Sequence, residues 1–121
     1  MPIRLDKLVC IVTGSDEGVG NGLVHGFLNR GAHVVAGVLD LDKALNAVYP
    51  AKAIRINVQD REEVLRAMEM VVELYGRIDV LVNNAGIYPR KVADEITEKE
   101  WMKVVDTNLH GAWRCCNAVI P

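Results

Sequence analysis

Cysteine is scarce in this chain of 121 residues, which holds only three. Cys10 lies within an apolar run, and Cys115 and Cys116 are adjacent, so the CxxC spacing of zinc sites is missing. The sequence therefore predicts neither a disulfide framework nor a zinc site. None of the three histidines has a histidine partner four residues away, and we expect a metal-free protein.

An excess of one charge is also lacking. Fourteen Lys and Arg stand against sixteen Asp and Glu, and the resulting net charge is −2. This balance excludes the basic footprint of a nucleic-acid-binding protein. No apolar stretch approaches the roughly 18 residues of a membrane span, and the run at 8–12 is too short for a signal-peptide core. We expect a cytoplasmic protein with neither nucleic acid nor membrane as a partner.

What is present is the composition of one globular domain over residues 1–121. Half of the residues are apolar and a quarter are charged, and a chain of this length buries about two-thirds of its unfolded surface. Short apolar runs alternate with helical patterns, which predicts an α/β fold with a parallel sheet and helices on both faces. The predicted strands are 8–12, 33–39, 53–58 and 79–82, and the first two predicted helices are 19–29 and 41–48.

Two capping boxes mark the starts of the later helices. Asp60 with Glu63 opens a helix that Gly76 closes. Thr97 with Glu100 opens another helix, which runs toward the end of the chain. Each N-cap stabilises its helix by about 1 kcal/mol, so both starts are well defined.

Three glycines follow the first predicted strand, in the turn Thr13-Gly-Ser-Asp-Glu-Gly-Val-Gly20. Glycines at these positions let the backbone turn tightly, approach a pyrophosphate closely and pack the next helix on the strand. The helix N-terminus then faces the anion. Glycines also serve ordinary turns, but here a buried strand precedes them and a helix follows. The turn therefore predicts dinucleotide binding.

Two asparagines follow the fourth predicted strand, in the segment Asn83-Asn84-Ala85-Gly86. The end of this strand lies next to the topological switch point, where ligands bind in open α/β sheets. A polar loop is the alternative interpretation. The direct junction with a core strand favours a binding site.

Together with Asp106-Thr107-Asn108-Leu109, these motifs resemble the short-chain dehydrogenase/reductase family over residues 8–121. Thr13 and the three glycines match the family's Thr-Gly-x-x-x-Gly-x-Gly, and residues 83–86 match its Asn-Asn-Ala-Gly. The resemblance implies a Rossmann-like, doubly wound parallel sheet with strand order 3-2-1-4. It also implies hydride transfer between a nicotinamide dinucleotide and a small carbonyl or alcohol substrate.

The resemblance also implies roles around the cofactor. The turn would wrap the pyrophosphate through Gly14, Gly18, Val19 and Gly20, with the Val19 amide as a donor. The adenosine and nicotinamide-ribose side of the cleft would be lined by Asn84, Ala85 and Gly86. These residues are the predicted cofactor contacts on either side of the switch point.

Two further asparagines have implied roles. Asn57 and Val58 lie where the family usually has Asp-Val against the adenine ring, and the Asn57 side-chain oxygen can still accept from the adenine amino group. Asn108 would be the catalytic residue of this chain, holding through its main-chain carbonyl the water that passes protons to the catalytic lysine. The alternatives are that Asn57 is a polar residue at a strand end and that Asn108 marks a helix kink.

Acidic residues near the glycine turn favour NAD over NADP. NAD-preferring members usually end the second strand with an aspartate, but Val38 holds that position and Asp40 comes two residues later. Asp40 either reaches the ribose or only starts the next helix. Asp16 and Glu17 would repel a 2′-phosphate, and no Arg or Lys lies in the turn or at 38–40 to pair with it.

The family's catalytic serine and its Tyr-x-x-x-Lys pair have no match in this sequence. Ser15, the one serine, lies in the cofactor turn, and none of the three tyrosines has a lysine four residues later. The chain therefore resembles the N-terminal half of the family, truncated before strand 5, and we expect it to be inactive alone. The alternatives are a non-catalytic dinucleotide-binding module and a subunit that associates with a partner chain.

The predicted fourth strand would then be an edge strand beside apolar helix faces. Such an edge promotes association, so we expect self-association or marginal stability. Arg90 and Lys91 offer either a rim for the substrate or a solvated loop, and the solvated loop is the favoured interpretation.

Overall fold

The computed structural model describes residues 3–121, which form a four-stranded parallel sheet. The strands are β1 (Val9–Val12), β2 (His33–Val38), β3 (Lys52–Arg55) and β4 (Val80–Val82). Their order across the sheet is β3-β2-β1-β4, and every neighbouring pair is parallel. The predicted doubly wound α/β architecture and strand order are therefore confirmed.

Helices connect the strands and cover both faces of the sheet. They are α1 (Gly18–Leu28), α2 (Leu41–Val48), α3 (Arg61–Tyr75), α4 (Glu98–Val105) and α5 (Gly111–Val119). A 3₁₀ turn at Ala93–Glu95 precedes α4, and a π-helical turn at Asp106–His110 joins α4 to α5. As predicted, α3 ends where Gly76 adopts a left-handed conformation, with φ at 79°.

β1 is buried along its whole length because helices cover both of its faces. Val9 and Ile11 belong to the core that contains residues of α3 and α5. Cys10 and Val12 point the other way, into the core that contains residues of α1 and α2. This alternation follows the two-residue period of a strand. The two cores fix the carboxyl ends of the strands, where the chain turns away.

Two predictions near the third strand are wrong. β3 ends at Arg55 rather than at residue 58, and Asn57 N donates to Glu63 Oε1 at 2.9 Å beyond its end. The capping box at Asp60 is only half formed. Asp60 accepts from Glu63 N at 3.1 Å, but the Glu63 side chain bonds Asn57 N and Arg55 instead of returning to Asp60 N. Asn57 N and Arg55, which lie outside the helix, therefore replace Asp60 N as the donors to the Glu63 carboxylate.

The second capping box forms as predicted. Thr97 N donates to Glu100 Oε2 at 2.9 Å, and Glu100 N donates to Thr97 Oγ1 at 3.2 Å. The helix that it opens is interrupted, however, because the π-helical turn follows Val105. A π-helical turn contains about one residue more than an α-helical turn, and such turns are frequent at functional sites.

β4 lies at one edge of the sheet, and its three residues are half-buried. Within residues 3–121 it pairs only with β1. The predicted strand began at Asp79, and the Asp79 carboxylate does receive a hydrogen bond from Val9 N at 2.8 Å. Arg77 lowers the pKa of Asp79 by a charged hydrogen bond, so the carboxylate that accepts from Val9 N is ionised at neutral pH.

No helix in residues 3–121 is both long and apolar enough to cross a membrane. The same residues contain no group of three or more His, Cys, Asp or Glu side chains suited to a metal ion. The cysteines are free thiols, of which Cys10 and Cys115 are buried and Cys116 is exposed. Burial raises the pKa of Cys115 to about 11, so its thiol is neutral and unreactive.

Candidate functional site

A cleft of about 1100 Å³ opens at the carboxyl ends of the strands. This volume lies slightly above the usual range of roughly 300–1,000 Å³ for small-molecule and cofactor pockets. The structure brings most of the predicted site residues together here: Gly14, Asp16, Gly18, Val19, Asp40, Asn57, Val58, Asn84, Ala85 and Gly86 line the cleft. Gly20 and Asn108 are not among the residues that line it.

The glycine turn has no room for side chains at two of its positions. Gly14 has φ at 63°, and a Cβ there would lie 2.8 Å from the Cα of Ala85. A Cβ on Gly20 would overlap the carbonyl oxygen of Gly14 and the side-chain nitrogen of Asn84. Gly18 also has a positive φ, 60°, but no heavy atom lies within 4 Å of a Cβ built there. Gly14 and Gly20 are therefore required for close packing, whereas Gly18 faces open space in the cleft.

Asn84 holds the glycine turn in place. Its side-chain nitrogen donates to the carbonyl oxygens of Thr13 at 3.2 Å and Gly14 at 3.0 Å. The Thr13 hydroxyl accepts in return from the backbone N–H groups of Asn84 at 3.1 Å and Ala85 at 3.0 Å. The second motif therefore supports the first one. Sequence reasoning placed Asn84 at the ligand and missed this contact, because 70 residues separate Asn84 from Gly14.

The N-terminus of α1 opens on the cleft. No side chain caps it, and Gly18 and Val19 of its first turn line the cleft. The Val19 side chain is 72% exposed. Because the first amides of a helix lack intrahelical acceptors and carry partial positive charge, they can receive an anion. These residues fit the pyrophosphate of a dinucleotide.

Asn57 and Val58 lie at another end of the cleft, beyond β3. The side-chain oxygen of Asn57 accepts a hydrogen bond from Gln59 N at 3.1 Å, which closes a local turn. Gln59 also lines the cleft, and its side-chain nitrogen donates to the Thr107 hydroxyl at 2.6 Å. The segment after β3 is therefore anchored to the π-helical turn.

Charges of both signs surround the second strand's end. Asp40 caps α2 by accepting from Lys43 N at 3.1 Å, and it lines the cleft as well, so both interpretations of Asp40 are compatible with its position. Asp16 and Glu17 line the same region. Sequence reasoning looked for cations only in the glycine turn and at 38–40, and it missed Lys43 and Arg55, which also line the cleft. Helix α2 brings Lys43 there, and β3 brings Arg55.

Asn108 clasps the loop that follows β4. Its side-chain oxygen accepts from Ile87 N, and its side-chain nitrogen donates to Ile87 O, each at 2.8 Å. Ile87 lines the cleft, whereas Asn108 supports it from behind. Asn108 lies within the π-helical turn, so the helix is irregular at this residue, as the alternative of a helix kink predicted. Asn108 also contacts a residue that lines the cleft, so the two interpretations do not exclude each other.

Arg114 joins the π-helical turn to the base of the cleft. Its guanidinium donates to Val58 O at 3.1 Å, to Asp106 O at 3.3 Å and to the Asp106 carboxylate at 2.6 Å. Arg114 lowers the pKa of Asp106, and His110 adds to this effect. No local sequence pattern indicates this network, which connects α5 to the turn after β3.

The loop after residue 86 contributes Tyr88 to the cleft lining. Arg90 lies over the Tyr88 ring, 5.8 Å from its centre. Lys91 donates to Glu100 at 2.6 Å, and this bond together with the one from Thr97 N lowers the pKa of Glu100 to about 2. Asn83 is exposed and donates to the Cys116 sulfur at 3.3 Å, so of the two asparagines only Asn84 reaches the cleft.

Comparisons with known proteins agree with this geometry. The family model described as short chain dehydrogenase matches residues 8–121. The 3-oxoacyl-(acyl-carrier-protein) reductase of Thermotoga maritima is 35% identical over 98% of this chain and 51% of its own length. Galactitol 2-dehydrogenase of Agrobacterium fabrum is 35% identical over 97% of this chain and 47% of its own length. The chain thus spans about half the length of the curated relatives it matches.

Solved structures show the same likeness. The crystal structure of gox2181 superposes with a TM-score of 0.90 at 36% identity, over 96% of this chain and 48% of that one. The ligand-free aldohexose dehydrogenase of Thermoplasma acidophilum superposes with a TM-score of 0.88 at 29% identity, over 97% of this chain and 44% of that one.

Proposed function

The chain belongs to the short-chain dehydrogenase family, and from that premise we propose that its cleft binds a nicotinamide dinucleotide. One observation carries the proposal: the uncapped start of α1 opens on a cleft of about 1100 Å³ beside an open glycine. Phosphates bind at such helix starts because backbone amides point at them. The two neighbouring glycines allow the strand, turn and helix to pack closely enough for this approach.

The remaining predicted residues take places around that anchor. The amides of Gly18 and Val19 would bind the pyrophosphate, while Gly14 and Gly20 would shape the turn. Asn57 and Val58 would contact the base. The nicotinamide-ribose side would be lined by Asn84, Ala85 and Gly86. Asn108, which supports Ile87 from behind the cleft, would keep its implied role of holding a water through its main-chain carbonyl.

The proposed activity of the whole protein is hydride transfer between the nicotinamide ring and a small carbonyl or alcohol substrate. A catalytic serine and a Tyr-x-x-x-Lys pair are missing from these 121 residues, so we expect turnover only where another segment or chain supplies them. A dinucleotide-binding subunit that associates with a partner is the second candidate. It is favoured by β4, an edge strand with half-buried residues that pairs on one side only within residues 3–121.

NAD is the proposed cofactor in preference to NADP. Asp16, Glu17 and Asp40 bring three carboxylates to the cleft, and these would repel a 2′-phosphate. Lys43, Arg55 and Lys103 act in the opposite direction, but Glu63 already pairs with the Arg55 guanidinium, which leaves the three carboxylates against Lys43 and Lys103. The balance of free charge therefore favours an unphosphorylated ribose.

Titration of the purified chain with NADH, followed by nicotinamide fluorescence, tests this proposal. We expect saturable binding, with NADPH binding more weakly. Val19→Asp should weaken NADH binding at least about tenfold, because its carboxylate would repel the pyrophosphate. The substitution should not destabilise α1, because a negative charge is favourable at the start of a helix. Gly26→Asp is the matched control. It adds the same charge to α1 at an exposed position with open space around it and away from the cleft, so its affinity should be unchanged.

A chain that is folded by circular dichroism but shows no saturable binding would overturn the proposal. Equal weakening by both aspartate variants would mean that net charge, rather than the start of α1, controls binding. Tighter binding of NADPH than of NADH would contradict only the choice of NAD and would point to Lys43 and Arg55.

A further inference from the structure

Two side chains of α1 reach across to the last turn of α2. The Asn21 side-chain nitrogen donates to Ala47 O at 2.7 Å, and His25 Nε2 lies 2.8 Å from the same oxygen. Because a carbonyl oxygen can only accept a hydrogen bond, Nε2 is the protonated ring nitrogen here. Asn21 and His25 are four residues apart, so one face of α1 carries both donors. These two side chains and Ala47 O form the α1–α2 bridge.

α2 is a short helix whose C-terminal end needs partners from outside the helix. It has eight residues, and no basic side chain lies in its last turn. The last carbonyls of a helix lack intrahelical donors, and a helix of this length is not stable by itself in water. The α1–α2 bridge brings two donors to one of these carbonyls. It therefore holds α2 where its own hydrogen bonding is incomplete.

One side of α2 forms a wall of the cleft. Its N-cap Asp40 lines the cleft, and so do Lys43, Ala44 and Ala47. Only Ala44 and Val48 of this helix are buried, so its attachment to the sheet is limited to two small side chains. The position of this α2 wall therefore depends on its contacts with α1.

α1 connects the α2 wall with the proposed phosphate site. Its first turn, residues 18–19, opens on the cleft, and the same helix carries Asn21 and His25 over the next two turns. The Asn21 side-chain nitrogen also lies 3.4 Å from Ser15 O in the glycine turn. A rigid helix with these contacts fixes the distance between its own start and the α2 wall.

We propose that Asn21 and His25 are positioning residues, which hold the α2 wall at a fixed distance from the start of α1 and thereby set the affinity for the dinucleotide. This inference rests on the proposed function, which places the pyrophosphate at the start of α1 and a ribose near Asp40. Neither positioning residue is among those that line the cleft. Without the α1–α2 bridge, α2 occupies its place in only a fraction of the molecules, and the apparent affinity falls by that fraction.

The test removes the two donors with little change in side-chain size. Asn21→Leu and His25→Leu together should weaken NADH binding about tenfold in the nicotinamide-fluorescence titration, and each alone about threefold. His25→Gln keeps a side-chain N–H donor, so its affinity should stay within about twofold of the unchanged chain. At saturation every variant should show the same nicotinamide emission as the unchanged chain, because the proposed ring site beside Asn84 lies on the β4 side of the cleft.

Asn46→Leu is the matched control, because it makes the same change as Asn21→Leu at an exposed position on α2 that does not line the cleft. Its affinity for NADH should equal that of the unchanged chain. Hydrogen exchange without ligand gives a second measurement. The α2 amides should exchange faster in the double variant than in Asn46→Leu, because local opening of α2 becomes easier without the α1–α2 bridge.

The outcomes separate this inference from the proposed function. Unchanged NADH affinity in a folded double variant, or in both single variants, would overturn the inference even if α2 exchanges faster. Equal weakening by Asn46→Leu, a His25→Gln variant as weak as His25→Leu, or altered nicotinamide emission at saturation would overturn it as well. An unchanged chain that is folded but does not bind NADH would overturn the proposed function and the inference with it.

Discussion

The two walls of the cleft are built by opposite means. The glycine wall, residues 13–20, takes its shape from bare backbone, because Gly14 and Gly20 leave no room for a Cβ. The π-turn wall, residues 86–88 with 106–110, takes its shape from side chains, above all the Asn108 amide that clasps Ile87. The first wall is therefore damaged by adding atoms and the second by removing them.

Gly20→Ala should break the glycine wall and have the largest effect. Its Cβ would overlap Gly14 O and the Asn84 side chain, which also holds the turn, so neither neighbour can yield without losing contacts. We expect a loss of roughly 3 kcal/mol in the free energy of unfolding, measured by urea denaturation, together with loss of NADH binding.

Gly22→Ala provides the control for that change, since it lies one half-turn away on α1 with nothing within 4 Å of its Cβ. It should stabilise the chain by up to about 1 kcal/mol through helix propensity. Similar stability of the two alanine variants would mean that crowding at position 20 does not shape this wall.

Asn108→Ala should break the π-turn wall with a smaller effect. Two hydrogen bonds to Ile87 disappear, and at about 0.5–1.5 kcal/mol each we expect a loss of about 1–2 kcal/mol in urea denaturation. Asn117→Ala, at an exposed position on α5, should change stability by less than about 0.5 kcal/mol. An Asn108→Ala variant as stable as Asn117→Ala would show that the clasp contributes nothing.

Acid should loosen the π-turn wall through Asp106, with the smallest effect. Arg114 lowers the pKa of Asp106 in the folded chain, while the unfolded value is about 3.9. The ion pair therefore stabilises the fold above about pH 4 and loses this contribution as the pH falls through the folded pKa. Asp106→Asn keeps an acceptor for Arg114 and should cost about 1 kcal/mol or less at pH 7.

The difference between Asp106→Asn and the unchanged chain should then shrink as the pH falls below about 4, the unfolded pKa, and toward the lowered folded pKa. Both tryptophans, Trp101 and Trp113, lie on α4 and α5, so their fluorescence during urea unfolding reports on this side of the cleft. A difference that stays constant from pH 7 to pH 3 would exclude the carboxylate as its cause.

Local patterns predicted the elements well because their causes lie within a few residues. The Thr97–Glu100 box formed because both partners are on the same helical turn. The strand order followed from the alternation of strands and helices and from the resemblance to a known family. Thr13 follows β1 and residues 83–86 follow β4, as the apolar runs before them predicted.

Features that depend on distant partners were beyond reach of the sequence. The Glu63 side chain accepts from Asn57 N and Arg55 instead of completing the predicted capping box. Arg114 donates to Val58 O, 56 residues away. Lys43 and Arg55 became neighbours of the cleft only through the packing of α2 and β3. Such contacts are decided by tertiary competition for each donor and acceptor, and short sequence motifs do not record that competition.

The contact of Asn84 with the glycine turn couples two segments that are far apart in the chain. Asn84 Nδ2 occupies the volume into which a side chain at position 20 would grow, and it bonds the carbonyl of Gly14 from 70 residues away. The two motifs therefore constrain each other: a side chain at 20 would need a smaller residue at 84 as well as a shift of the Gly14 carbonyl, and the smaller residue at 84 would release the turn. Substitutions at positions 20 and 84 should therefore be non-additive in their effect on the free energy of unfolding.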